Sequence, residues 1–244
     1  MSVSTPPPPA PPASRSKKAG LGCCGCGCLL LIVLLVLILG LCGGLTYLAY
    51  DQAMKLTTTA AADVPVTDGG ETVFRSTQQK IADFDHDVKN HQAATIRLSA
   101  DEINTLLAEN PEVKAKKVRV HVSFTGSEAR LQCTFPTDAV TMLHALAPGR
   151  HANIDTSFEV LFDPGTKNII FDFHTLDIGP TTLIGDTTDA SPNAKAMARS
   201  AAQFQPVFNQ MFNEQIRKFP DGAALLDQAK MVKIENGELV IETQ

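Results

Sequence analysis

The sequence predicts an α+β fold in which one N-terminal transmembrane helix precedes a curved antiparallel sheet with packed helices. Three observations predict it. An uncharged, mostly apolar run at 29–48 has the length of a membrane-spanning helix. Several segments after residue 94 alternate apolar and polar residues, as half-buried strands do. The stretch 193–219 repeats apolar residues at steps of three and four, which is typical of an amphipathic helix.

The run at 29–48 predicts a single-pass membrane anchor. In a helix it spans about 30 Å, the thickness of the hydrocarbon core. The apolar region of a cleaved signal peptide is shorter, about 7 to 15 residues. Three cations precede the run, namely Arg15, Lys17 and Lys18, and Asp51 follows it. The positive-inside rule therefore predicts a cytoplasmic N-terminus and an extracytoplasmic domain at the cell membrane.

These features divide the chain into four parts. Residues 1–20 are a proline-rich, disordered cytoplasmic tail. Residues 21–50 are a Cys/Gly-rich entry followed by the transmembrane helix, 51–70 are a linker closed by Gly-Gly, and 71–244 are the extracytoplasmic domain.

Small residues in the membrane segment have several interpretations. Gly40 and Gly44 form a GxxxG pair, which predicts a dimer face in the membrane. The cysteines at 23–28 are small residues at the interface, acylation sites or ligands of a soft metal. The literal G-x-G-x-x-G at 20–25 lacks the preceding strand of a dinucleotide site.

Charge excludes one class of partner. After Tyr50 the chain holds 26 acidic and 18 basic residues, a net charge of −8. A nucleic-acid platform needs a basic face, so no nucleic-acid partner is expected. Cys133 is the only cysteine of this part, so a disulfide within the domain is excluded and the core alone must stabilise it.

The first half of the domain is predicted to contain two helices. An apolar stripe at 74–88 indicates a helix over 71–91 that docks on its own domain, with a coiled-coil dimer as the alternative. The acidic residues of the DFDHD motif, 83–87, are interpreted as the solvent-exposed face of that helix. A short strand at 94–98 leads to a capping box at Ser99 and Glu102, and the helix that begins there ends at Asn110-Pro111.

The second half is predicted to be mostly strands. Segments 118–124 and 130–135 form a hairpin, and 152–162 and 167–178 form another around Asp163-Pro164-Gly165-Thr166. Residues 138–146 are a short helix or irregular, and 181–192 are a polar loop. Pro206 predicts a kink or two abutting helices within 193–219. The chain closes with a hairpin whose type I′ turn is Asn236-Gly237.

One stripe on the long helix is the candidate ligand site. Phe204, Phe208, Met211 and Phe212 lie on one side of it, and such side chains adapt to lipids and other apolar ligands. The alternative is an ordinary helix packed on a sheet.

Catalytic motifs are absent from the sequence. It contains no G-x-S-x-G elbow, no phosphate-binding GxxxxGK[ST] and no H-E-x-x-H. The six histidines are scattered, and none has a carboxylate or cysteine at a triad or metal spacing. The sequence therefore predicts a protein that is not an enzyme, with no metal site and no cofactor. A hydrolase is a distant alternative, because paired carboxylates can come from positions far apart in the sequence.

The order of features after Ile96 resembles that of YpmS-type uncharacterised bacterial membrane-anchored envelope proteins. The resemblance rests on LSADEINTLLAENP at 98–111, the strand pair after it, DTSFEVLFDPGTKNIIFDFHTLDIG at 155–179 and the closing hairpin. More distantly, it is similar to small relatives of the tubular lipid-binding (TULIP) fold, in which a helix packs into a curved antiparallel sheet. The resemblance implies that fold and transfers no site residue.

Two functional hypotheses follow. In the first, the membrane-anchored domain binds a lipid or other apolar ligand beside the phenylalanine stripe. In the second, the protein is a non-catalytic structural or assembly component of the cell envelope that forms a homodimer through the Gly40/Gly44 face and the 74–88 stripe.

Overall fold

The computed structural model describes residues 56–67, 69–140, 147–185 and 192–244, with backbone alone over 192–202 and at 220. These residues form an α+β fold with antiparallel sheets and five α-helices, which confirms the predicted fold class at that level. No helix within the described ranges is long and apolar enough to cross a bilayer. The tail 1–20 and the predicted membrane segment 21–50, with Gly40 and Gly44, lie outside them.

Helices occupy both halves of the domain. Their bounds are α1 Gly70–Lys89, α2 Ala100–Glu109, α3 Pro111–Ala115, α4 Pro192–Arg217 and α5 Pro220–Gln228. The capping box is confirmed at the start of α2, where the Ser99 hydroxyl accepts from the Glu102 N–H and the Glu102 carboxylate accepts from the Ser99 N–H. Asn110 ends α2 and caps α3 through its side chain, so a second short helix follows where the sequence predicted only an end.

The strands form two antiparallel sheets. Their bounds are β1 Thr57–Thr58, β2 Thr95–Ser99, β3 Arg119–Thr125, β4 Glu128–Pro136, β5 His151–Asp163, β6 Asn168–Ile178, β7 Thr181–Ile184, β8 Ala229–Glu235 and β9 Glu238–Thr243. The large sheet has the order β3-β4-β5-β6-β7, with β1 also paired to β5, and the small sheet has the order β2-β9-β8. The three predicted hairpins are confirmed. Asn236 and Gly237 both have positive φ, as a type I′ turn requires.

Strand β7 and helix α5 were not predicted, and the structure gives the form of two segments for which the sequence left alternatives open. The polar loop predicted over 181–192 begins with strand β7, which pairs with the end of β6. Helix α4 is one continuous element with Pro206 inside it, and α5 follows where no helix was predicted. Of the segment 138–146, the structure describes residues 138–140, and the first two of these belong to a single 3₁₀ turn at Thr137–Ala139.

One face of the large sheet forms the core with the helices. Strand β5 buries every second residue from Ala152 to Val160, and β4 buries Leu131, Cys133 and Phe135. This period of two makes one face apolar and leaves the other polar. Cys133 lies on the apolar face, as predicted. The register of β5 and β6 shifts between Ser157 and Phe158, and bulges of this kind bend a strand.

Residues 56–67, which we call the strap, pack on the domain. Leu56 and Val64 are each 4% exposed, and Thr57 and Thr58 pair with Ala152 and His151 of β5. We predicted a linker over 51–70. The described part of that segment therefore has the burial and strand pairing of a structural element.

Candidate functional site

The predicted ligand stripe lies on the side of α4 that faces the large sheet. Phe204, Phe208 and Phe212 are 6%, 2% and 1% exposed, and Met211 is half-buried. The ring of Phe208 meets that of Phe171 at 5.4 Å between centroids, in an edge-to-face arrangement. The Phe212 ring meets the same partner at 4.6 Å.

These rings belong to one cluster that joins helix and sheet. Phe173 contacts Phe204 and Phe208 of the helix, and Phe158 of β5 contacts both rings of β6. Edge-to-face contacts of this kind stabilise a core beyond the area that the rings bury. The stripe thus has the ordinary helix-on-sheet packing that was the alternative interpretation of the sequence.

A row of side-chain amides lies beside the phenylalanine stripe. The amide of Asn213 accepts from the N–H of Ile169 at 2.9 Å and donates to its carbonyl at 2.7 Å. Asn209 makes the same pair of hydrogen bonds with Phe171, at 2.9 and 3.2 Å. Gln205 accepts from Phe173 N–H at 3.4 Å, so one helix face follows alternate residues of β6.

This amide row, Gln205, Asn209 and Asn213, covers part of a strand edge. Strand β7 pairs with β6 only at 176–178, so the backbone of β6 at 169–173 has no strand from the described residues on that side. An exposed edge is a template for pairing with another chain. The helix therefore takes the place of a further strand and satisfies the backbone groups there.

Sequence reasoning missed the amide row, although a signal for it was present. Three amide residues recur at four-residue steps, directly beside the apolar stripe of the same helix. The surface flank of a helix ordinarily carries charged or mixed polar residues. A regular amide series at the boundary of an apolar stripe is the pattern that could have indicated a strand edge.

A groove of about 340 Å³ lies on the outer side of the amide row, between α4 and the start of β6. Ile170 and Pro206 give it apolar walls, and Gln210, Glu214 and Arg217 give it a polar rim. Its volume is at the low end of the range for ligand pockets, about 300 to 1,000 Å³. None of the four predicted stripe residues lines it.

The polar side chains of the groove are largely bonded to each other or to the adjacent turn. Arg217 donates to the carbonyl of Lys167 at 2.7 Å and to the side chain of Asn168 at 3.2 Å. Gln210 donates to Glu214 at 2.8 Å. Because these groups are already paired, the groove offers few polar contacts for orienting a ligand.

The outer face of the large sheet carries an exposed network of charged groups. Arg130 donates two hydrogen bonds to Asp155, of 2.8 and 2.6 Å, and Gln132 donates to the same carboxylate. The hydrogen bond from Arg130 is the main cause that holds the pKa of Asp155 below its usual value. On the same face, His174 lies 3.4 Å from Glu128.

The acidic motif of α1 lies on the surface, as predicted. Asp85 pairs with Lys89 at 2.7 Å, and Asp83 accepts from Gln79. Within the described residues, no group of three His, Cys, Asp or Glu side chains is arranged to hold a metal ion. His86 and His91 are both exposed, and His91 lies beyond the end of the helix.

The apolar stripe of α1 faces the protein's own core. Thr77, Ile81, Phe84 and Val88 are all buried. This confirms the prediction of a helix docked on its own domain. The second hypothesis used the 74–88 stripe as a dimer face, and that part of it is wrong because those side chains are covered by their own domain. Gly40 and Gly44 remain the predicted dimer face.

Comparison with known proteins gives no further assignment. No family model, curated protein or solved structure matches this chain. The resemblance to YpmS-type and TULIP-like proteins therefore stays a prediction, and function must be argued from the chain's own residues.

Proposed function

We propose that this chain is a single-pass membrane protein whose extracytoplasmic domain has a structural or assembly role and catalyses no reaction. The long uncharged run, with cations before it and an acidic domain after it, supports the membrane anchor and its orientation. The curvature predicted for the large sheet is part of this proposal, and the register shift between β5 and β6 supports it.

The packing of α4 on the large sheet is the observation that favours an assembly role over lipid binding. A lipid carrier needs an apolar space between helix and sheet. Here that position holds the rings of Phe204, Phe208 and Phe212, which contact those of Phe171 and Phe173. The groove outside the amide row is small, and its rim is polar.

Native mass spectrometry tests this choice. Residues 51–244, purified without detergent, are expected to have the mass of the polypeptide alone. A co-purified lipid in stoichiometric amount would revive the lipid-binding hypothesis. Its position could then be tested with Phe208→Trp, which enlarges a ring inside the cluster, against Val207→Trp on the exposed side of the same helix.

Membrane insertion and orientation are tested on the full chain. We expect it to resist extraction by alkaline carbonate, as an integral protein does. Protease added to intact cells should remove the domain and leave a short membrane-bound fragment. Extraction by carbonate would contradict the membrane anchor. Protection of the domain from protease in intact cells, but not in lysed ones, would contradict the proposed orientation.

Self-association is tested in the membrane segment. On a helix, Gly40 and Gly44 share one face and Cys42 lies on the opposite face. We expect Gly40→Leu to abolish crosslinked dimers in membranes and Cys42→Leu, which also enlarges a small residue, to leave them unchanged. A protein that is monomeric at all expression levels would contradict the homodimer.

A further inference from the structure

The strap is held to the sheet by one asparagine whose amide is fully satisfied. The Nδ2 atom of Asn153 donates to the Thr58 hydroxyl at 2.7 Å and to the Ala60 carbonyl at 3.1 Å. Its Oδ1 atom accepts from the Ala62 N–H at 3.0 Å and from the Thr134 hydroxyl at 2.6 Å. An amide can make four hydrogen bonds, and here three of them hold the strap.

Two further contacts hold the start of the strap. The guanidinium of Arg150 donates from Nε to the Thr57 hydroxyl at 2.8 Å and from Nη2 to the Thr57 carbonyl. Gly179 lies directly against the backbone of Leu56, and a Cβ at position 179 would be 2.7 Å from the Leu56 carbonyl oxygen. The first residues of the strap therefore have one defined position on the sheet.

The strap meets the large sheet at one end, which we call the strap end. Strands β3 and β5 run in the same direction because each is antiparallel to β4, so both begin at this end. The other end of β5 is about 40 Å away, at about 3.3 Å per residue. The β5–β6 turn and the groove beside α4 lie at that far end.

Only five residues, 51–55, separate Tyr50 from the strap. A chain of that length reaches at most about 22 Å even when fully extended. A domain that joined its membrane helix through a long flexible linker could turn any side to the bilayer. This chain has too few residues between the end of the uncharged run and Leu56 for that freedom.

The strap end carries exposed cations. Lys117 and Arg119 are exposed at the start of β3, and neither makes an ion pair with any described residue. Nearby, Lys114 pairs with Glu109 and Lys116 lies 4.0 Å from Glu112. Asp63 and Asp138 are further acids at this end. These two acids partly offset the charge of Lys117 and Arg119, which remain exposed cations without an ion pair among the described residues of the strap end.

We propose that the strap holds the strap end of the domain against the bilayer, and that Lys117 and Arg119 there contact anionic lipid headgroups. The inference rests on the proposed membrane anchor. The partner is the bilayer in which the chain itself is inserted, since the strap connects that end to the predicted membrane segment. Cations close to an anionic surface are attracted to it within about one Debye length, roughly 10 Å. The groove beside α4 then faces away from the membrane.

Tryptophan reporters in the full chain test this orientation, because the chain has no tryptophan of its own. Ala115→Trp places one on an exposed site at the strap end, and Leu161→Trp places one near the far end of β5. Each variant is reconstituted in phosphatidylcholine vesicles with and without phosphatidylglycerol, using a nitroxide on a fraction of the headgroups. We expect several-fold stronger quenching at position 115 than at 161.

Two sets of variants separate the strap from the charges. Asn153→Ala should reduce the difference in quenching between the two reporters, whereas Asn90→Ala, which removes an exposed amide elsewhere, should not. Lys117→Glu with Arg119→Glu should remove the extra quenching at 115 that phosphatidylglycerol produces. Lys218→Glu with Lys230→Glu, which reverses two exposed lysines outside the strap end, is the charge-matched control.

The outcomes are distinct. Equal quenching at 115 and 161 in a chain that stays in the membrane overturns the orientation and leaves the anchor intact. Quenching at 115 that does not depend on phosphatidylglycerol overturns the role of Lys117 and Arg119. A chain that carbonate extracts from the vesicles overturns the anchor itself, and with it this inference.

Discussion

Asn104 and Val122 exchange two hydrogen bonds of 2.8 Å, so a helix side chain occupies the position of a neighbouring strand. The amide of Asn104 donates to the carbonyl of Val122 and accepts from its N–H. Asn213 forms the same pair with Ile169 at the opposite edge of the large sheet. Ile169 lies on the part of β6 that β7 does not reach. Both edges are thereby closed to strand addition at these residues. This disfavours association through strand addition at these two positions of the large sheet.

Replacing Asn213 or Asn104 by alanine should destabilise the domain by about 2 kcal/mol each. Either change leaves a buried N–H and a buried carbonyl without partners, and that loss costs about 1 to 3 kcal/mol. Urea unfolding should show a lower midpoint with an unchanged slope. Amide exchange should rise at Ile169 in the first variant and at Val122 in the second.

The double variant provides the control for this prediction. The two amides contact opposite edges of the large sheet and share no partner, so their effects should add within about 0.5 kcal/mol. Asn90→Ala, which removes an exposed amide just after the end of α1, should change the unfolding free energy by less than about 0.5 kcal/mol. Wild-type stability in Asn213→Ala would show that the amide row does not contribute to stability.

Phe208→Ala should destabilise the domain by about 3 to 4 kcal/mol, because it leaves a cavity among packed rings. The side chain is 2% exposed and touches the rings of Phe171 and Phe173. Val207→Ala on the same helix is the control, since Val207 is 50% exposed and should cost less than about 0.5 kcal/mol. Equal effects of the two changes would contradict the packing of α4 on the sheet.

Local patterns in the sequence were sufficient for most of the elements. Alternation over 118–135 and the Asn236-Gly237 turn predicted hairpins that the structure confirms, because side-chain period and turn chemistry act between near neighbours. The capping box at Ser99 and Glu102 was visible for the same reason. Strand β7 was missed because its four residues, TTLI, are too few for a period to emerge.

The phenylalanine stripe and the strap show where such patterns end. A stripe predicts a buried helix face, but whether rings or a ligand fill the space depends on Phe158, Phe171 and Phe173 of other strands. The strap is small and polar, so composition favoured a linker. Its partners at 150 and 153 lie about ninety residues further along the chain, beyond the reach of any local pattern.

Gly179→Ala should loosen the strap. The glycine has a φ of +56°, and a Cβ there would lie 2.7 Å from the Leu56 carbonyl oxygen. Gly149→Ala is the matched control, because Gly149 has a φ of +68° and nothing lies within 4 Å of its added Cβ. Both variants have a similar conformational cost of about 1 kcal/mol. Only Gly179→Ala should also speed proteolysis within 56–67 and amide exchange at Thr58.

The ion pair of Arg130 and Asp155 should contribute about 1 kcal/mol at neutral pH. Two hydrogen bonds by themselves would suggest a larger contribution to the unfolding free energy. The Arg130 side chain is 57% exposed, however, and solvent screens the interaction. The arginine lowers the pKa of Asp155 from its ordinary value of 3.8, so the folded state binds a proton there less readily than the unfolded chain. The contribution of the ion pair to stability is therefore complete above pH 3.8. It is lost as the pH falls through the lower pKa that Asp155 has in the folded state.

Asp155→Asn tests this pH dependence because asparagine mimics the protonated carboxyl group. The unfolding free energy of the variant should lie about 1 kcal/mol below that of the wild type at pH 7, within the range of exposed ion pairs. The difference should shrink as the pH falls below 3.8. Asp83→Asn, which changes an exposed acid on α1, provides the control for general acid effects. A charge effect must vanish once the carboxyl group is protonated. If the difference in unfolding free energy between the wild type and Asp155→Asn stays constant from pH 7 to the acid limit, the loss reflects packing around residue 155.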